Sequence, residues 1–300
     1  MKPDFFIVGA PKSGTSSLCV YLDQHPSICM ATDKEPDFFG SDLQGKRRAT
    51  TLEDYLKLFP CSPDLLWGEG STWYLFSKCA AREIYQHNPQ AKIIIMLRNP
   101  IDFVYALHSQ VVYVADEDIT DFEQALHAEP DRKQGRRIPA GCTQPESLLY
   151  TEAARFTEQV KQYFDVFGRE AVLVIIYDDF KRDTAGVYRQ TLQFLQVDPT
   201  FQANLQIVNP NKKIRSHLLN TLWRRPPRLV QNVLRSLLPF ALRRLIRRRV
   251  RSLNMQHEPR NPMPPHVYRR LQRHFAPEVE HLSTLLGRDL RSWTTDTESV

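Results

Sequence analysis

Residues 5–17, FFIVGAPKSGTSS, decide the fold of this chain. Residues 5–8 form an uninterrupted apolar run that ends at Gly9, which is typical of a buried parallel strand. Residues 9–15 then predict a turn, and residues 16–24 predict a helix with several apolar contacts. A strand, a polar turn that contains glycine and a helix together form the unit that binds phosphate groups.

The turn has the chemistry of an anion site. Successive backbone N–H groups and the positive end of the following helix both attract anions. Lys12 adds a positive charge, and Gly14 lets the backbone approach a ligand closely. Hydroxyl donors are supplied by Ser13, Thr15 and Ser16.

The loop differs from the one in nucleotide triphosphatases. In those proteins the loop lysine follows the second glycine, whereas Lys12 precedes Gly14. A second predicted strand ends in Arg98 and not in the aspartate that would bind magnesium. Both features disfavour a kinase or an ATPase.

Strands and helices alternate along the first two thirds of the chain. Predicted strands cover residues 65–67, 92–97 and 172–177, and predicted helices cover residues 77–88, 100–113, 148–167 and 184–195. Residues 115–146 predict a long loop with a helical piece, and residues 265–286 predict closing helices. This order predicts one α/β domain over residues 1–300, with a central parallel sheet.

Composition narrows the class of protein. The 300 residues are 42% hydrophobic, which suits a globular protein with one large core. No segment approaches the roughly 20 apolar residues needed to span a membrane, and the N-terminus does not resemble a signal peptide, so we predict a cytoplasmic protein. The five cysteines are scattered and lack metal-ligand spacing, which indicates reduced thiols and no metal site.

The positive charge is concentrated in one segment. Residues 199–257 contain thirteen Lys and Arg and no Asp or Glu, whereas the whole chain has a net charge of +6. Residues 224–253 predict a basic helical lobe. Its arginines could simply face water beside an apolar stripe, or they could bind an acidic partner or an anionic surface. Nucleic acid is disfavoured, because no binding motif is present and aromatic residues are sparse.

Five motifs, in order, resemble the sulfotransferases that use 3′-phosphoadenosine 5′-phosphosulfate (PAPS), in the bacterial and heparan-sulfate-type branch. Residues 11–18, PKSGTSSL, are similar to the family's 5′-phosphosulfate loop, and residues 34–39, KEPDFF, to its K-E-x-x-F-F segment. Residues 97–100, LRNP, resemble its 3′-phosphate motif. Residues 177–180, YDDF, and 285–290, LLGRDL, also match.

The resemblance implies a fold and a role for each matching residue. The fold would be a P-loop-type three-layer sandwich with helices on both faces of the sheet. Lys12 would neutralise the leaving phosphate, and Glu35 would be the general base. The donor would be held by Ser13, Gly14, Thr15, Ser16, Arg98 and Arg215, without a metal. The product nucleotide would be 3′-phosphoadenosine 5′-phosphate (PAP).

Three departures from the family pattern bear on the substrate. The family's 3′-phosphate serine is replaced by Ala106, and Ser109 is a candidate substitute on nearly the same helical face. Gly70 replaces a lysine, and Asp37 replaces a histidine, that the polysaccharide enzymes carry. We therefore predict transfer to a hydroxyl or amine of a small natural product. A glycan sulfotransferase, a phosphotransferase and a nucleotide-binding protein without turnover are the alternatives.

Overall fold

The computed structural model describes residues 2–45, 47–206 and 262–295, and the backbone of two short strands at 213–214 and 255–256. Arg215, most of the 199–257 segment and the predicted basic lobe at 224–253 lie outside the described residues.

Five parallel strands form the central sheet. They are β1 (Phe5–Gly9), β2 (Ile28–Met30), β3 (Leu66–Gly70), β4 (Lys92–Leu97) and β5 (Val172–Ile176), in the order β2-β3-β1-β4-β5. The strand order reverses at β1, which lies between β3 and β4. The carboxyl ends of β1, β3, β4 and β5 therefore meet at one edge, where α/β proteins bind ligands. A separate antiparallel pair joins β6 (Lys213–Ile214) to β7 (Met255–Gln256).

Ten α-helices are described. They are α1 (Thr15–Leu22), α2 (Leu52–Leu56), α3 (Ala80–His87), α4 (Pro100–Val114), α5 (Phe122–Lys133), α6 (Tyr150–Ala153), α7 (Phe156–Phe167), α8 (Tyr177–Arg182), α9 (Thr184–Leu195) and α10 (Pro265–Leu286). Pro100 and Pro265 each lie in the first turn of their helix, where the missing N–H costs nothing.

Helices cover both faces of the sheet because the side chains of β1 alternate between two apolar cores. Phe6 and Val8 pack in the larger core with α3, α4, α7 and α10. Phe5 and Ile7 pack in the smaller core with α1 and α9. The predicted three-layer α/β sandwich is confirmed.

Several element boundaries differ from the sequence-based expectation. The helix predicted over residues 148–167 is two helices, α6 and α7, separated at Ala154 and Arg155. β2 was not predicted, because three residues are too few to show a period. Among the described residues, no helix is both long and apolar enough to cross a bilayer.

The segment at 115–146 is more ordered than a long loop. It contains α5, and a buried ion pair joins Arg132 of α5 to Glu117, with N–O distances of 2.7 Å. The Tyr150 hydroxyl donates to the same carboxylate at 2.6 Å. A polar composition suggested a solvated loop, but its charged groups pair with each other inside the protein.

One expectation about the cysteines is wrong. Cys29 of β2 and Cys61 are joined by a disulfide bond across a sequence separation of 32 residues, while Cys19, Cys79 and Cys142 are not disulfide-bonded. The bond forms because the 57–65 segment lies beside β2, where Thr32 N donates to Leu58 O. Spacing along the sequence contained no sign of this proximity.

Candidate active site

A cleft of about 1320 Å³ opens at the carboxyl edge of the sheet. We divide its lining into two sides. The loop side comprises Pro11, Lys12, residues 14–17, Arg98, Ser109, Gln110 and the start of α8. The carboxylate side comprises Lys34, Glu35, Asp37 and Thr72, with a wall formed by Asp116, residues 120–123 and His266. The segments that follow β1, β3, β4 and β5 all contribute to this cleft.

The phosphate loop has the geometry of a nest for an anion. Lys12 and Gly14 adopt left-handed backbone conformations, with φ of 63° and 92°. A Cβ atom at position 14 would lie 3.1 Å from a Tyr177 ring carbon and 3.2 Å from a Phe180 ring carbon. Gly14 is therefore required both by its backbone conformation and by its close contact with α8.

The loop is anchored to the sheet and directs its lysine into the cleft. Ala10 N donates to Met96 O of β4 at 2.6 Å. The Lys12 ammonium donates to Gln110 Oε1 of α4 at 3.2 Å. Thr15 and Ser16 also line the cleft. The Ser13 hydroxyl does not, because Ser13 is fully buried and its Oγ donates to Pro11 O at 3.5 Å.

Arg98 has an unused donor on the loop side. Its guanidinium pairs with Asp102 at 3.0 Å and stacks on the Tyr177 ring at 5.1 Å. Its Nε is buried and has no hydrogen-bond partner among the described residues. A buried donor without a partner is costly, and a phosphate oxygen would satisfy it. The geometry thus fits an anion at Arg98.

Ala106 and Ser109 both line the cleft from α4. Ala106 is fully buried and brings no polar group. The Ser109 hydroxyl donates to Tyr105 O, one turn back in the helix, at 2.9 Å. A phosphate contact from Ser109 would require the hydroxyl to turn away from that carbonyl.

Glu35 lies across the cleft in a left-handed conformation, with φ of 62°. Its Oε1 accepts hydrogen bonds from Lys34 Nζ at 2.6 Å and from Thr72 Oγ1 at 3.1 Å. Burial alone would raise the pKa of Glu35, but the charge and the hydrogen bond of Lys34, with the bond from Thr72, hold that pKa below its ordinary value. Glu35 is therefore ionised at neutral pH and able to accept a proton.

Asp37 lies beside Glu35 in a different state. Its backbone N–H donates to Ser71 Oγ at 3.1 Å, while its Oδ1 is buried and has no partner among the described residues. Burial, together with the neighbouring charges of Glu35 and Glu69, raises the pKa of Asp37 to about 7. The two carboxyl groups thus have pKa values shifted in opposite directions.

Glu69 supports this side from within the sheet. It is fully buried, and it accepts hydrogen bonds from the Tyr55 hydroxyl and, at 2.6 Å, from Ser71 Oγ. Burial raises the pKa of Glu69 to about 6. Ser71 therefore connects the Glu69 carboxylate to the backbone of Asp37.

A charged cluster joins the wall of the carboxylate side to α10. Glu123 of α5 accepts from His266 Nε2 at 2.9 Å and from Arg270 at 3.0 Å, both on α10. Asp116 accepts from the backbone N–H of Thr143 at 3.1 Å and from its hydroxyl at 2.7 Å. These contacts hold the 115–146 segment against the cleft.

The structure brings together most of the residues predicted from the sequence. Lys12, Gly14, Thr15, Ser16, Glu35, Arg98 and Ser109 all line the one cleft. Sequence reasoning missed Thr72, Gln110 and Lys181, which also line it. Lys181 follows Tyr177 by one helical turn, so the YDDF motif contained a signal for it. In the described part of the chain, no group of three or more His, Cys, Asp or Glu side chains could hold a metal ion.

Known proteins resemble this chain in sequence and in structure. It is 23% identical over 227 residues to the bifunctional heparan sulfate N-deacetylase/N-sulfotransferase 1 of Caenorhabditis elegans, covering 73% of this chain and 25% of that protein. It is 21% identical over 250 residues to carbohydrate sulfotransferase 15 of Mus musculus, covering 66% and 44%. The chain thus spans less than half the length of these relatives.

A solved structure extends the similarity to almost the whole chain. The sulfotransferase from Alicyclobacillus acidocaldarius superposes with a TM-score of 0.73 at 29% identity, covering 98% of this chain and 100% of that one. The sulfotransferase domain family matches residues 2–218, which include the phosphate loop, Glu35 and Arg98. The match confirms the sulfotransferase family that the sequence motifs predicted. The chain belongs to the sulfotransferase family.

Proposed function

We propose that this enzyme transfers a sulfuryl group from PAPS to a hydroxyl, or an amine, of a small natural product. The observation that carries this proposal is the single cleft that contains the phosphate loop, Arg98 and Glu35. Donor groups for two phosphates and a carboxylate base therefore face one enclosed space. This is the arrangement that a direct transfer between two bound substrates needs.

The loop side would hold the donor. Backbone N–H groups of the nest, with Gly14, Thr15 and Ser16, would bind the 5′-phosphosulfate. The 3′-phosphate would lie against Arg98, whose buried Nε lacks a partner among the described residues. Ser109 is proposed as a second contact to that phosphate, in place of the serine missing at Ala106. The proposed contact of Arg215 to the donor lies outside the described residues.

The reaction would be an in-line displacement. The acceptor oxygen or nitrogen forms a bond to sulfur while the bond from sulfur to the 5′-phosphate oxygen breaks, which releases PAP. Lys12 neutralises the negative charge that grows on the departing phosphate. Glu35 takes the proton that the acceptor loses. Because its pKa is below the ordinary value, Glu35 is in the basic form at neutral pH but is a modest base.

Two positions favour a small acceptor over a polyanionic glycan. A Cβ atom at Gly70 would lie 2.7 Å from Cys19 Sγ, so the lysine of the polysaccharide enzymes has no room unless Cys19 moves. Asp37 brings a carboxyl where those enzymes carry a histidine. A glycan acceptor is the second candidate, because the relatives from C. elegans and M. musculus are a heparan sulfate and a carbohydrate sulfotransferase.

A binding assay and a transfer assay together test this function. PAP should stabilise the protein against heat in the presence of EDTA. Incubation with PAPS and a panel of hydroxyl and amine acceptors should yield a product heavier by about 80 daltons, the mass of SO₃. Magnesium-dependent turnover of ATP would instead support a phosphotransferase. Binding of PAP with no transfer to any acceptor would support a non-catalytic nucleotide-binding protein.

The cytoplasmic location stays a prediction, and the Cys29–Cys61 disulfide counts against it because such bonds are typical of oxidising compartments.

A further inference from the structure

Asp37 is a carboxyl group that the proposed transfer does not use. It lines the cleft next to Glu35, the proposed base. Its backbone is fixed in a left-handed conformation, with φ of 51°, and its N–H is bonded to Ser71. The Oδ1 atom is buried and lacks a hydrogen-bond donor among the described residues. A buried acceptor without a donor costs free energy, so its place in the cleft indicates a ligand that supplies the donor.

The charges around Asp37 define what that donor must be. Glu35 from the same segment and Glu69 from β3 both place negative charge near it. Lys34, a cation on the same segment whose charge lowers the pKa of Asp37, is bonded to Glu35 at 2.6 Å. Arg48, whose charge lowers the pKa of Glu35, pairs with Asp33 at 3.1 Å. The local balance is therefore negative, and a cationic donor would be favoured over a neutral one.

The loop side has the opposite charge. Lys12, Arg98 and Lys181 line it, and the proposed PAPS donor would neutralise them. On the wall of the carboxylate side, the acidic residues Asp116, Asp121 and Glu123 outnumber the basic ones. A carboxylate, sulfate or phosphate on the acceptor would thus meet repulsion from both the donor and the wall.

We infer that the acceptor carries an ammonium group and that Asp37 binds it, which makes Asp37 the specificity-determining residue for the acceptor. This inference rests on the proposed function, since it concerns the second substrate of the same transfer. The ammonium donates to the unpartnered Oδ1 and supplies the missing positive charge. The proton released by Asp37 on binding enters solution, and the bonds made and broken at sulfur are those already described.

The affinity for such an acceptor should depend on pH. Asp37 must be ionised to pair with an ammonium, and its pKa of about 7 leaves it largely protonated below that pH. Selectivity for the cationic acceptor should therefore rise as the pH increases from 6 to 8. Glu35 is ionised throughout this range, so it does not produce the change.

The experiment compares matched acceptors that differ only in charge. Three scaffolds are used: a phenol, a primary alcohol and a methyl glycoside. Each scaffold gives a trio of acceptors that carry an ammonium, a methyl or a carboxylate group at the same distance from the reactive hydroxyl. For any trio that is sulfated, we expect the ammonium member to have a kcat/KM about 10- to 100-fold above the methyl member. The carboxylate member should be the poorest of the three.

Two variants connect the selectivity to one side chain. Asp37→Asn keeps the shape and removes the charge, so the preference for ammonium should fall to about threefold or less, with the pH effect lost. Asp33→Asn, on the same segment but outside the cleft lining, should keep the preference. Thermal stabilisation by PAP reports whether each variant is folded. If Asp37→Asn does not fold, Asp37→Ser replaces it as the variant that removes the charge.

The outcomes separate the inference from the function on which it rests. No transfer to any member of any trio would overturn the proposed function itself. Transfer in which the methyl or carboxylate member equals the ammonium member overturns the inference alone. Retention of the ammonium preference in Asp37→Asn also overturns it, because another group would then be the counter-ion.

Discussion

The ligand-binding groups of the loop side and of the carboxylate side are held in place by different kinds of contact. On the loop side the ligand-binding groups are largely backbone, fixed by a glycine packed on α8 and by a hydrogen bond from Ala10 to β4. On the carboxylate side they are side chains, and several of these are held by side chains from a distant part of the sequence. Thr72 bonds Glu35, and Arg132 pairs with Glu117 behind the wall.

This difference predicts how each side responds to substitution. At a site built from backbone groups, a substitution reduces function only where it removes a charged side chain that contacts the ligand directly. The fold tolerates such a substitution. A site built from paired side chains loses stability when one member of a buried pair is removed, because the other is left without compensation. Changes on the loop side should therefore alter catalysis and nucleotide binding, whereas changes on the carboxylate side should also alter folding.

The largest effect should come from Lys12. We expect Lys12→Met to lower kcat by about 10³-fold, because the charge on the leaving phosphate is no longer neutralised. The affinity for PAP should change by less than about tenfold, since the backbone nest remains. Transfer rates and PAP titrations measure the two effects. Lys57→Met, on the exposed surface of the 57–65 segment, is the control, and an equal loss in both variants would contradict the assignment.

The buried pair behind the wall should show the opposite pattern. Arg132→Met leaves the Glu117 carboxylate buried without its partner, which should lower the free energy of unfolding by about 3 kcal/mol. Arg136→Met, at an exposed pair with Asp131, should cost less than about 1 kcal/mol. Urea denaturation measures both. At temperatures where Arg132→Met is folded, its PAP affinity should be unchanged. A large loss of PAP affinity would mean that the two sides are not separable.

Glu35 tests the carboxylate side for catalysis. Glu35→Gln should lower kcat by about 10²-fold, near the small end for general bases because its lowered pKa makes it a modest base. With an uncharged acceptor, the wild-type kcat/KM should be constant near neutrality and should fall as the pH drops through the pKa of Glu35. That acid limb should be absent in the variant. Glu53→Gln, fully outside the cleft, is the matched control. Equal rates for wild type and Glu35→Gln would remove Glu35 from the mechanism.

The extent to which the sequence predicted each side follows the same division. The phosphate loop, β4 and α9 were predicted closely, because a local pattern of apolar residues, glycine and helix caps specifies them. The same pattern located Arg98 directly after a strand, whereas its predicted role came from a family motif. Local patterns of this kind need no knowledge of distant contacts.

The carboxylate side could be predicted only in part. Glu35 was identified through a family motif, but the contact with Thr72 joins residues 37 positions apart. Charged residues such as Glu117 and Arg132 made the 115–146 segment look like a solvated loop, because composition does not reveal which charges are paired. The Cys29–Cys61 disulfide was missed on similar grounds. Long-range pairing is a property of the tertiary structure, and periodicity cannot report it.

Arg98 offers a sharper test of the loop side, through a difference between two ligands. Arg98→Lys removes the Nε donor and the planar fork, so PAP should bind about 10- to 30-fold more weakly. Adenosine 5′-phosphate, which lacks the 3′-phosphate, should bind both proteins nearly equally. Calorimetry measures the four affinities, and Arg182→Lys on the exposed face of α8 is the control. An equal loss for both nucleotides would place Arg98 away from the 3′-phosphate.

The smallest effect is a gain in stability on the carboxylate side. The pKa of Asp37 is raised to about 7 in the folded protein, above the ordinary value of 3.8. The folded state therefore holds the Asp37 proton more tightly than the unfolded state does. Ionisation of Asp37 costs folding free energy that is absent below pH 4, grows as the pH rises and is complete above pH 7.

Asp37→Asn removes that cost. We expect the variant to be more stable than the wild type by about 1 kcal/mol at pH 8, a value reduced from the full shift because the side chain is partly solvated. At pH 4 the two proteins should unfold at nearly the same urea concentration. Asp33→Asn, at an exposed pair with Arg48, should show no such trend with pH. If Asp37→Asn were less stable than the wild type at pH 8, the charge of Asp37 would have a stabilising partner, and the unpaired carboxylate on this side of the cleft would not exist.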